Sequence, residues 1–99
     1  MTIHDIWDGE SLTVSLEGRL DTLSSPELDQ FLQKYLPVAM TLTFDLEKLD
    51  YLSSAGLRVL LNAYKATQDR GGILILHPNK LVMEVFHVTG LDEVLKIES

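Results

Sequence analysis

Leu42, Phe44 and Leu46 alternate with Thr41, Thr43 and Asp45, the period-two pattern of a pleated strand. The period then changes. Leu57, Leu60, Leu61 and Tyr64 fall at i, i+3, i+4 and i+7, one face of a helix. Between strand and helix lies a polar turn, with Ser53 and Ser54 where the helix should start. Gly56 follows at once, and a glycine in a first helical turn lets another backbone or a partner come close. A strand that feeds a helix through such a turn is a place where α/β proteins put their chemistry.

The rest of the chain alternates in the same way. Ile3 to Trp7 is predicted as a short strand, and Asp8-Gly9 is a hairpin turn signal. Leu12, Val14 and Leu16 mark a second strand, closed by Gly18-Arg19-Leu20-Asp21. Ser24 and Glu27 have the spacing of a capping box around Pro26. Leu28, Phe31, Leu32, Tyr35 and Leu36 then form a helical stripe that Pro37 ends. Gly71-Gly72 stops the helix of the organising segment after Arg70. Ile73 to Leu76 is a continuous apolar run, the mark of a parallel strand covered on both faces. Asn79 is placed to cap a further helix bearing Leu81, Val82, Val85 and Phe86, with Gly90 beyond its end. Val94 to Ile97 is expected as a last edge strand. The order is β-β-α-β-α-β-α-β. It implies an α/β fold with a mixed sheet, an N-terminal hairpin and right-handed crossovers. Whether the helices share one face stays open.

Composition narrows the class. The chain has 99 residues, and residues 1–99 are expected to form one domain that buries roughly two-thirds of its unfolded surface. It has no cysteine, so it carries no disulfide frame and no thiolate metal site. That usage fits a reducing compartment, and a cytoplasmic location is expected. The first ten residues, MTIHDIWDGE, show no signal-peptide pattern. No apolar run approaches the roughly 18 residues that span a bilayer, so membrane insertion is not expected. A net charge of −7 with scattered Lys and Arg argues against nucleic acid.

Candidate chemistry centres on the two serines. The plain reading of Ser53 and Ser54 is helix capping, worth ~1 kcal/mol. The functional reading is a nucleophile or a phosphate acceptor, because free amides and the macrodipole at a helix N-terminus favour an anion. His4, His77 and His87 lie on different elements and lack ligand spacing. Asp45, Glu47 and Asp50 read as a solvated edge rather than a cation site. Trp7 reads as core or rim. No catalytic residue, cofactor or metal is expected, since no motif joins a base to either serine.

The segment LDYLSSAGLRVLL, Leu49 to Leu61, resembles the signature of STAS domains of the bacterial anti-sigma factor antagonist type. GRLD, Gly18 to Asp21, and FHVTGL, Phe86 to Leu91, are similar to two weaker motifs of that family, and the resemblance covers nearly the whole chain. It implies a protein–protein switch. The unmodified antagonist binds an anti-sigma factor that is also a serine kinase, and so frees a sigma factor. Phosphorylation of one serine breaks the complex, and a PP2C-type phosphatase resets it. The register of Gly56-Leu57 places the phosphoacceptor at Ser54, with Ser53 as the alternative, where many members carry aspartate. The resemblance places partner binding at Asp21, Ser53, Ser54, Gly56 and Arg58; a solvated turn aspartate is the other reading of Asp21. Many relatives continue into a C-terminal helix, which in this sequence, ending at Ser99, is expected to be missing or truncated. The alternative function is a STAS docking subunit of a lipid-transport or stress-signalling assembly, without phosphate switching.

Overall fold

A computed structural model describes residues 1–99. Strand β1 (Thr2–Asp8) turns back into β2 (Ser11–Leu20) as an antiparallel hairpin. Helix α1 (Ser25–Tyr35) leads through a short 3-10 turn to β3 (Thr41–Leu52), which lies parallel to β2. Helix α2 (Ser54–Thr67), β4 (Ile73–Leu76), α3 (Lys80–Val88) and β5 (Lys96–Glu98) complete the chain. The sheet order follows the chain order, β1-β2-β3-β4-β5, with every pair after the hairpin parallel. The expected order and mixed sheet are both present.

All three helices lie on one face. Leu12, Val14, Leu16, Leu42, Phe44, Leu46, Ile73 and Ile75 point towards it. They join Leu28 and Leu32 of α1, Leu57, Leu60 and Ala63 of α2, and Val82 and Phe86 of α3 in one core cluster. The opposite face presents Thr13, Ser15, Thr43, Asp45, Leu74 and Leu76, all half-buried. The apolar run Ile73 to Leu76 is therefore covered on one side rather than two. Trp7 sits at the rim, 36% exposed, packed edge-on against Tyr35 with ring centroids 5.9 Å apart.

Strand β3 is longer than its alternation indicates. Its pairing with β2 shifts register between Ser15 and Glu17 and again between Gly18 and Arg19, so buried positions run Leu46, Leu49, Leu52. Strand β4 pairs only with Leu42 to Asp45. The upper half of β3 is therefore free on that side, and α3 packs there instead. Asn79 ties the two together: its Oδ1 accepts from the Val82 amide at 2.8 Å as the helix cap, and its Nδ2 donates to the Leu49 carbonyl at 3.0 Å. At the far end of α2, Gly71 takes the left-handed conformation with φ 106°. The adjacent Arg70 reaches back to the Leu36 and Ala39 carbonyls at 3.3 and 3.1 Å, fixing α2 to the end of α1.

The start of α2 rests directly on the end of β2. The Ser53 amide donates to the Leu20 carbonyl at 2.9 Å. A Cβ built at Gly56 would lie 2.5 Å from Leu20 Cγ and 2.9 Å from the Leu20 carbonyl oxygen. The carbonyl belongs to a paired strand and cannot swing aside. Gly56→Ala should therefore lower stability by about 1–3 kcal/mol, as overpacking does, despite alanine's better helix propensity. A thermal melt checks this; an unchanged or higher Tm would show that α2 can lift off Leu20 freely.

Candidate functional site

Three turns meet at the C-terminal end of the parallel strands. They are the turn after β2, the serine turn after β3, and the segment after α3. The two serines have separate tasks. Ser53 is the helix cap: its backbone is extended, its Oγ accepts from the Gly56 amide at 3.4 Å, and its carbonyl accepts from Leu57 at 2.9 Å. Ser54 is the first helical residue, is exposed, and takes no part in the cap. The amides of Ser54 and Ala55 find no intrahelical acceptor, as at any helix start. Four residues on, Arg58 is also exposed.

Asp21 lies beside this helix start and is half-buried. Its carboxylate is tied into the turn through one oxygen, while the other faces Arg19. Its Oδ1 accepts from the amides of Leu23 and Ser24, both at 3.1 Å, while its own amide donates to Ser24 Oγ at 2.9 Å. Ser24 Oγ in turn donates to the Arg19 carbonyl at 2.7 Å. The expected capping box between Ser24 and Glu27 is absent, because the Ser24 hydroxyl is spent on this knot. The Asp21 carbonyl takes over as terminus acceptor, from the Ser25 amide at 2.8 Å and from the Ser25 hydroxyl. Arg19 Nε stands 3.7 Å from Asp21 Oδ2, and its guanidinium lies 4.2 Å above the Tyr51 ring. The backbone amide of Ser24, with further help from its hydroxyl, the Leu23 amide and the Arg19 charge, holds the Asp21 carboxyl below the usual carboxylate range, against some loss of hydration. The knot leaves Leu23 held outwards, 92% exposed.

The structure adds residues that the serine motif did not flag. Ser54, Leu57, Arg58 and Leu61 line a shallow cleft with Thr89 and Leu91. A second cleft on the other side of Arg58 is lined by Thr22, Ser25, Asp29, Ala55 and Asn62 among others. Asp21, Ser53, Ser54, Gly56 and Arg58 thus lie on or beside one end of the molecule. Gly56 is buried against Leu20 and supports the surface from beneath. Thr89 and Leu91 arrive because α3 runs along the free upper half of β3. His4, His77 and His87 are dispersed: His4 faces Glu17 at 3.9 Å, and His87 Nδ1 sits 2.9 Å from Asp92.

Because the folded-state pKa of Asp21 is depressed, its contribution to stability is present above the ordinary value of 3.8 and is lost as the pH falls through the folded value. Asp21→Asn should therefore lower Tm at neutral pH, and the gap from the wild type should narrow as the pH falls below 3.8. Parallel melts across that range check it. A gap independent of pH would show that the carboxylate charge contributes nothing to the knot.

The sequence and the fold have known counterparts. A family profile described as "Mlab, STAS domain" matches residues 3–97. The anti-sigma-B factor antagonist of Listeria monocytogenes is 26% identical over 94 residues, covering 93% of this chain and 82% of that protein. BtrV of Bordetella bronchiseptica, named provisionally as an anti-sigma factor antagonist, is 33% identical over 81 residues, 80% of this chain and 70% of its own. Among solved structures, an anti-sigma factor antagonist from Mycobacterium paratuberculosis superposes with a TM-score of 0.88 at 24% identity, over 97% of this chain and 83% of that one. The chain belongs to the STAS domain family.

Proposed function

We propose that this chain is an anti-sigma factor antagonist that works by binding and is switched by phosphorylation of Ser54. In the unmodified state the end of the sheet formed by the Asp21 turn, the serine turn and the Thr89–Leu91 segment docks on an anti-sigma factor that is also a serine kinase. Docking releases the sigma factor. The kinase then transfers phosphate to Ser54 and the complex falls apart, until a PP2C-type phosphatase restores the hydroxyl. The setting is the cytoplasm, and the chain itself catalyses nothing. The observation that carries this reading is the division of labour at the helix start. Ser53 holds the turn, which leaves Ser54 exposed and free to be modified without loss of the cap. The names of the Listeria and Bordetella relatives support the same reading.

The physical chemistry of the switch is local. At the N-terminus of α2 an anion is favoured by ~0.3–1 kcal/mol, so the phosphate does not disturb the fold. It adds about −1.5 to −2 charges to a chain whose net charge is already −7. Pressed against a partner, that phosphate has to shed water, and a single neighbouring cation leaves part of its charge uncompensated, which is unfavourable. A loss of ~3–4 kcal/mol lowers affinity by roughly two to three powers of ten. Exclusion at the contact is enough, and no refolding is required.

The protein isolated from its own cells should carry phosphate on Ser54 and co-purify, when unmodified, with an ATP-binding kinase. Ser54→Ala should keep the partner and resist the switch; Ser54→Asp should lose part of the binding. Mass spectrometry and pull-down check both. Phosphate on Ser53 with Ser54 bare would overturn the assignment. A stable assembly with no phosphate turnover would favour the docking-subunit reading.

A further inference from the structure

Arg58 is an exposed cation of this surface with no ion-pair partner within the molecule. It stands one helical turn beyond Ser54, and the two side chains line the same cleft. The ion pairs of the molecule use His4, Arg19, Arg70 and His87, with Glu17, Asp21, Asp69 and Asp92 as their partners. Arg58, like the five lysines, is in none of them, and it differs from the lysines in lining the cleft that Ser54 also lines. The carboxylate that lines the neighbouring cleft, Asp29, accepts from Gln33 Nε2 at 2.9 Å instead. An exposed guanidinium is thus left without a partner beside the serine proposed to take phosphate.

We infer that Arg58 receives the Ser54 phosphate, clamping the modified helix start shut on itself. This rests on the reading of Ser54 as the phosphorylated residue. Residues at i and i+4 on a helix are neighbours, about 5–6 Å apart at Cβ, and an anion N-terminal to a cation is the favoured orientation. A guanidinium offers a planar fork that two phosphate oxygens accept together, which an ammonium cannot reproduce. The phosphate therefore acts twice. It occupies the contact surface, and it withdraws the Arg58 guanidinium from anything that docks there. Unmodified, Arg58 is open to a carboxylate on the partner. Modified, it is neutralised from within, and the phosphate is held close to the free amides of the first turn. Arg58 is a positioning residue for the phosphate and takes no part in its transfer.

The test needs neither kinase nor partner. Phosphoserine is installed at position 54 of the full chain by genetic encoding, in the wild type, in Arg58→Gln and in Arg58→Lys. The second ionisation of the phosphate, ordinarily near about pH 6, is followed by phosphorus NMR. In the wild type it should lie roughly 0.2–0.4 pH unit lower than in Arg58→Gln, with Arg58→Lys between them. The Arg58 Nε–H signal of the wild type should shift and exchange more slowly with water once the phosphate is present, a readout that needs no variant. Identical titrations in the wild type and Arg58→Gln, or an Arg58 Nε–H signal indifferent to the phosphate, would overturn the clamp. Absence of phosphate on Ser54 in cells would defeat the switch reading and leave these titrations as they are, so the two failures are distinguishable.

Discussion

The backbone hydrogen bond from Ser53 to the Leu20 carbonyl, 2.9 Å long, is the contact on which this end of the molecule depends. It joins the last residue of β2 to the cap of α2, two points far apart in sequence. The absence of a side chain at Gly56 makes the approach feasible, since a Cβ there would run into Leu20. Once Leu20 is fixed, Asp21 must follow beside the serine turn, and its knot with Ser24 sets the start of α1. Two sites that a sequence shows as separate motifs become one surface through that single contact.

The surface is built with spare groups left outward and structural groups turned inward. Ser53, Asp21, Ser24 and Asn79 all spend their side chains on backbone amides or carbonyls. Ser54, Arg58 and Leu23 do not, and all three are exposed. A switch residue that also capped its helix would trade stability for regulation at each cycle, because losing a cap costs ~0.5–2 kcal/mol. Placing the cap at Ser53 and the free hydroxyl at Ser54 separates those demands. Ser53 serves here as a neutral cap.

Much of this was legible in the sequence, and the exceptions have physical causes. The alternation of Leu42, Phe44 and Leu46 and the stripe of Leu57, Leu60 and Leu61 placed β3 and α2 because both pack one face against the core. Asn79 was readable as a cap because its spacing to the apolar helix is local. The length of β3 was not, because the register shifts against β2 replace period two with Leu46, Leu49, Leu52. Ser24 was misread as a capping-box residue because Asp21, a tertiary neighbour of α2, competes for its hydroxyl. Thr89 and Leu91 could not be assigned to the site from spacing alone, since they reach Ser54 only through the docking of α3 on the unpaired half of β3. The apolar run of β4 predicted two covered faces, yet Leu74 and Leu76 stay half-exposed because every helix lies on the side of Ile73 and Ile75.

What unites these observations is a preformed platform, on which the proposed switch acts at the contact and leaves the fold alone. The most direct measurement is a comparison of amide NMR spectra of the chain with Ser54 free and with Ser54 phosphorylated. Changes confined to Leu20–Ser25, Ser53–Arg58 and Thr89–Leu91, with an almost unchanged Tm, are the expected result. Shifts spread through β1, β4 and β5, or a Tm many degrees lower, would contradict it and show that the phosphate works by remodelling the sheet.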